Sequence, residues 1–105
     1  MTREQAIRLV IAAFLRWLRT ENHYVAWSQA FKPYEKDERY ANLSFEKYVF
    51  QRIQESPFQT KDILSSLVDR TIVYSCHPSV NWEAINKKWR TFFSTHIKKQ
   101  VCNYL

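Results

Sequence analysis

A chain of 105 residues that contains no glycine cannot easily make the backbone turns on which many small enzymes and tight sheets rely. Average usage of about 7% would put roughly seven glycines in a chain of this length. Only glycine takes positive φ at little cost, and only glycine lets a ligand approach the backbone unhindered. The absence excludes the G-x-x-x-x-G-K-[ST] phosphate loop, the G-x-G-x-x-G dinucleotide turn and the G-x-S-x-G elbow that presents a nucleophilic serine. It also disfavours two-residue hairpins of types I′ and II′. Helices joined by ordinary loops remain, so the expected fold class is all-α.

The chain has enough apolar material to close a core. Hydrophobic residues make up 46% and aromatic residues 16%, and a charged content of 25% is ordinary for a soluble globular domain. Folding at this length buries roughly 60–70% of the surface of the unfolded chain. The expectation is a single helical domain over residues 1–105, a compact bundle of four to five helices.

Cys76 and Cys102 are too few for a disulfide framework. The opening "MTREQAIRLVIAAFLRWLR" lacks the basic-then-apolar layout and small-residue cleavage site of a secretory signal. Its longest uncharged apolar run, "LVIAAFL", is far shorter than the roughly 20 residues that span a bilayer. These features point to a soluble, cytoplasmic protein in a reducing compartment, with no membrane partner.

Placed at about 100° per residue, Ile7, Val10, Ile11, Phe14, Trp17 and Leu18 fall on one arc of a first helix. Thr2 and Gln5 form a capping box at its start. Gln5, Arg8, Ala12, Arg16 and Arg19 share the opposite stripe, flanked by Leu9 and Leu15. Tyr24, Trp27 and Phe31 lie off the first arc, which predicts a break near residues 20–22 and a second piece stopped by Pro33. "YEKDERYANL" reads as loop or short surface helix. Ser44 starts a helix through Phe45, Tyr48, Val49, Arg52 and Ile53, closed by Pro57. Thr60 is the expected cap of a helix running through "TKDILSSLVDRTIVY", although "TIVY" alone would suit a strand. Asn81 caps the last helix, where Trp82, Ile85, Trp89, Phe92, Phe93 and His96 form the predicted buried arc.

No constellation assembles for catalysis. Ser65, Ser66, Cys76 and the cluster Glu35, Asp37, Glu38 supply nucleophile and base types without an aligning pattern. Cys76, His77, His96 and Cys102 have the elements of a zinc site but the wrong spacing, since adjacent ligands rarely reach one tetrahedral centre. No catalytic residue, metal, cofactor or small-molecule substrate is implied. His96, among aromatics, reads as a partly buried imidazole bonded across the bundle.

The net charge of +6 is concentrated at the ends: residues 1–20 carry +3, residues 21–78 carry −1, and residues 79–105 carry +4. Arg8, Arg16 and Arg19 with Lys87, Lys88, Lys98 and Lys99 are the candidate basic face. The rival reading is that the arginines are solvated, or pair with carboxylates such as Glu46, Glu55, Asp62 and Asp69. Tyr24, Trp27, Tyr34 and Tyr40 are candidate partner-binding aromatics, because exposed Tyr and Trp often anchor interfaces. The expected function is a small basic non-catalytic binding protein of regulatory or adaptor type. Its most favoured partner is another protein, with a homodimer as one form of that engagement. The alternative is a nucleic-acid-binding protein that uses the basic N- and C-terminal helices to contact phosphates.

Overall fold

Helix α1, Arg3–Thr20, starts on the predicted capping box. The Thr2 hydroxyl accepts from the Gln5 N–H at 3.1 Å, and the Gln5 Oε1 accepts from the Thr2 N–H at 2.8 Å. The computed structural model describes residues 1–30, 38–72 and 79–105, apart from the side chains of residues 70–72. Ile7, Val10, Ile11, Phe14, Trp17 and Leu18, the predicted arc, are all buried, together with Ala6.

The break after α1 lies where the shift of the apolar stripe predicts it. Asn22 adopts φ 60°, and the His23 N–H bonds back to the Leu18 carbonyl while the Asn22 N–H bonds to Arg19. Those two bonds make a Schellman cap, the usual helix ending when one residue enters the left-handed region. Asparagine tolerates that region better than other residues with a β-carbon, which is how a chain without glycine ends a helix here. Helix α2, Tyr24–Ala30, follows. Pro33 and Tyr34 lie outside the described residues.

Helix α3, Phe45–Glu55, is capped by the Ser44 hydroxyl, as its spacing predicts. The segment after Pro57 differs from expectation. Instead of one helix from Thr60, there are two short ones, α4 at Thr60–Ser65 and α5 at Leu67–Ile72. The residue at the cap is Gln59; Thr60 is the first helical residue, and its hydroxyl accepts from Arg3 Nη2 at 2.6 Å instead. Ser65 donates to the Asp62 carbonyl at 3.0 Å, the side-chain competition with backbone that makes a serine pair a weak helix interior. Thr71 and Ile72 are helical, and residues 73–74 of the strand-prone stretch lie outside the described residues.

The C-terminal helix opens at Asn81, whose side chain accepts from the Ala84 N–H. It runs as α6, Trp82–Phe92, passes through a π-helical turn at Phe93–Ile97, and ends as α7, Lys98–Val101, with a 3₁₀ turn at Cys102–Tyr104. A regular helix rotates its stripe by about 40° every four residues. The wider π turn, closed by the Lys98 N–H on the Phe93 carbonyl, offsets that drift. Phe93, Ile97 and Val101 therefore all remain buried, and His96 is turned outward. The expected partly buried His96, bonded across the bundle, is thus corrected: its side chain is exposed.

All these helices contribute to one core. Its centre is aromatic. The Phe14 ring lies 5.6 Å from Trp27, 5.9 Å from Phe45 and 5.0 Å from Trp89, so α1 meets α2, α3 and α6 through a single side chain. Trp89 is fully buried and donates its Nε1–H to the Leu64 carbonyl at 2.9 Å, which ties α6 to α4. Among the described residues there is no strand. The radius of gyration, 13.2 Å, matches the roughly 13 Å of a compact chain of about 100 residues.

Two stability measurements check this packing. Trp89→Phe keeps most of the ring volume but removes the buried indole–carbonyl bond, and should cost about 1–3 kcal/mol in urea unfolding. Asn22→Gly should leave the midpoint unchanged or raise it slightly, whereas Asn22→Val, forced to positive φ, should lose about 1–2 kcal/mol.

Candidate functional site

The arginine-bearing face of α1 also carries a second apolar stripe. Leu9, Ala12, Ala13, Arg16 and Thr20 follow helical spacing, and they run alongside the C-terminal helix. Between the two helices lies an open groove of about 520 Å³, closed on the far side by Phe92, His96, Ile97 and Gln100. A second hollow of about 600 Å³ continues it toward α6 and is flanked by Lys87 and Lys88. The two share Trp17, Glu21, Phe92 and His96, so they form one surface feature.

The groove floor follows from the core beneath it. Trp17 is buried against Trp89, with ring centroids 5.5 Å apart, and also lies 6.3 Å from Phe92. Phe92 is half-buried and stacks on Trp89 at 6.0 Å. His96, exposed, lies 4.8 Å from Phe92 and extends the aromatic surface upward. Ala12 and Ala13 add little bulk, which leaves the α1 side shallow.

The candidate basic residues separate into four groups. Arg16, Lys87 and Lys88 are exposed along the groove, and among the described residues none has an ion-pair partner. Arg8 is spent within the fold: its Nη2 lies 2.8 Å from Glu4 and its Nε 3.1 Å from Glu46, the intramolecular pairing expected as the rival role. Both pairs are exposed, so each contributes at most a few tenths of a kcal/mol to about 1 kcal/mol. Arg19 lies over the Tyr24 ring at 4.2 Å, a cation–π contact at the α1–α2 corner. Lys98 and Lys99 are exposed beyond the π turn and do not line the groove. Of the candidate basic residues, Arg16 from α1 and Lys87 and Lys88 from α6 line the groove.

Two of the candidate aromatics are corrected. Trp27 is only 3% exposed, packed against Phe14 and Phe45, and Tyr40 is 4% exposed. Both rings fill the core and present no surface to a partner. Tyr24 is half-buried beneath Arg19, and Tyr34 lies outside the described residues. The apolar residues that line the groove instead are Leu9, Ala12, Ala13, Trp17 and Phe92. Leu9 and the alanines had a legible signal, the i, i+3, i+4 repeat beside Arg16. Trp17 and Phe92 had none, because each sits at the margin of an arc assigned to the core.

Elsewhere, the Tyr40 hydroxyl donates to Glu55 and fastens the turn at residues 38–42 to the end of α3. That bond, with a second from Gln51, holds the Glu55 carboxyl below the usual carboxylate value. Burial, followed by the bond to Glu55, pushes the Tyr40 phenol up. Cys102 is exposed at the C-terminal end, whereas Cys76 and His77 lie outside the described residues. Among the described residues no three His, Cys, Asp or Glu side chains come together to hold a metal. No described helix is long and apolar enough to cross a membrane. No protein-family model, curated protein or solved structure matches this chain.

The Tyr40–Glu55 bond has a pH signature. Because Glu55 is depressed in the fold, its contribution is present above the ordinary carboxyl value of 4.5 and is lost as pH falls through the lower folded value. Tyr40→Phe removes the main cause of that shift. Urea midpoints measured down the acid limb should therefore fall less steeply in the variant than in wild type.

Proposed function

We propose that this protein is a non-catalytic helical binding protein whose partner is another protein, held in the groove between α1 and the C-terminal helix. One observation carries the reading: an apolar, aromatic-floored groove lies open to solvent, bordered by three exposed cations with no intramolecular ion pair among the described residues. Protein interfaces combine that apolar centre with a polar rim, and Trp, Phe and Arg are enriched in them.

A nucleic-acid role, the alternative raised by the charge of the two ends, has less support. Phosphate binding is strongest when many free cations track a backbone. Here Arg8 is paired with two carboxylates and Arg19 covers a tyrosine, Lys98 and Lys99 lie outside the groove, and the floor between Arg16, Lys87 and Lys88 is apolar. A homodimer remains within the reading, with the groove taking the place of the tyrosines as its seam.

Blocking the groove tests the proposal. Ala12 is exposed, so Ala12→Trp should place an indole in the groove at a helix-propensity cost of about half a kcal/mol. In crosslinking capture from the native cell, the wild-type chain should retain a protein that Ala12→Trp loses, with unchanged helical circular dichroism. Equal capture by both would contradict the proposal. So would binding to duplex or single strands that weakens steeply with salt and survives Ala12→Trp.

A further inference from the structure

Resting on that reading, we infer that the groove recognises an acidic amphipathic helix, which sets an apolar ridge between α1 and the C-terminal helix and turns its carboxylates toward Arg16, Lys87 and Lys88. Three features select this occupant. The first is length: the α1 wall from Leu9 to Thr20 runs about 16 Å at 1.5 Å per residue, room for about three turns of a partner helix. The second is relief. Ala12 and Ala13 leave a shallow wall that lets another backbone come close, and the Trp17–Phe92 floor accepts side chains projecting at i, i+3, i+4 and i+7. An extended strand would need a free sheet edge, and the groove walls are helices whose backbone bonds are already made.

The third feature is charge. Arg16 stands on one wall and Lys87 and Lys88 on the other, all exposed, and among the described lining residues they face one carboxylate, Glu21, where the two hollows meet. A bound helix with carboxylates on both flanks would be met from both walls at once, Arg16 offering a bidentate fork and the lysines point charges. Each rim pair contributes modestly in water, so the cations select the partner while the floor anchors it.

The test is selection from a display library of helical peptides of about four turns, with a fixed leucine ridge and randomised outer positions, against the wild-type chain. Enriched peptides should carry Glu or Asp flanking the ridge. Ala12→Trp should abolish their binding, and so should a proline placed mid-peptide. The triple variant Arg16→Glu, Lys87→Glu, Lys88→Glu, which changes only exposed positions, should weaken the acidic peptides on the order of tenfold, three rim pairs each worth a few-fold. The same variant should gain affinity for lysine-flanked versions of those peptides, a reversal that simple misfolding cannot produce. Enriched ligands that are basic, neutral or indifferent to the proline would overturn the acidic-helix inference. They would still support a protein-binding groove if Ala12→Trp excluded them. A library that yields no ligand sensitive to Ala12→Trp also overturns the inference, and leaves the broader proposal to the capture experiment. Duplex DNA that competes for the same groove would overturn it too.

Discussion

The fold depends on where the Trp89 indole is seated. Its ring is fully buried, 5.0 Å from Phe14 and 5.5 Å from Trp17, and its N–H reaches the Leu64 carbonyl at 2.9 Å. A buried N–H without an acceptor costs about 1–3 kcal/mol, and this bond removes that penalty for the indole. It also gives the core a direction. Apolar packing alone would tolerate the C-terminal helix rotated or shifted by a residue, whereas the indole bond admits one register against α4. The break between α4 and α5 lies beside that same carbonyl.

The groove is a consequence of this seat. With Trp89 buried, Trp17 and Phe92 pack against it and against each other, and both line the groove along the α1 seam. The π turn then keeps Phe93, Ile97 and Val101 on the core side and releases His96 to the surface above Phe92. The wall opposite is α1, which is amphipathic twice over: one face fills the core and the other presents Leu9, Ala12, Ala13 and Arg16. A helix with so much apolar surface, yet with one side left to solvent, is what a groove-forming helix requires.

Much of the fold is legible in the residues. The buried face of α1, its capping box, the break before Tyr24, the Ser44 and Asn81 caps and the all-helical class follow from spacing and from the lack of glycine. What was not legible depended on contacts between segments distant in sequence. Thr60 looks like a cap until Arg3, 57 residues earlier, claims its hydroxyl. The serine pair at 65–66 interrupts a helix that periodicity alone would carry through. His96 falls on the apolar arc of an ideal wheel, and only a π turn, which leaves no mark in composition, moves it out. The site was legible in part. The free cations Arg16, Lys87 and Lys88 were among the expected basic residues, but so were Arg8 and Arg19, whose partners lie on other turns or helices. Trp27 and Tyr40 show the opposite error: a large aromatic outside a clean stripe reads as surface, yet Trp27 packs against Phe14 and Phe45, and Tyr40 against Tyr48, inside the core.

The most direct test of this account is the hydrogen-exchange rate of the Trp89 indole N–H, followed by NMR in the folded protein. Seated on the Leu64 carbonyl at the centre of the core, it should exchange only when the whole molecule opens, as slowly as the best-protected backbone amides of α1. An indole proton that exchanges as fast as one in a solvated side chain would contradict the account, because the groove floor that leans on that ring would then have no support.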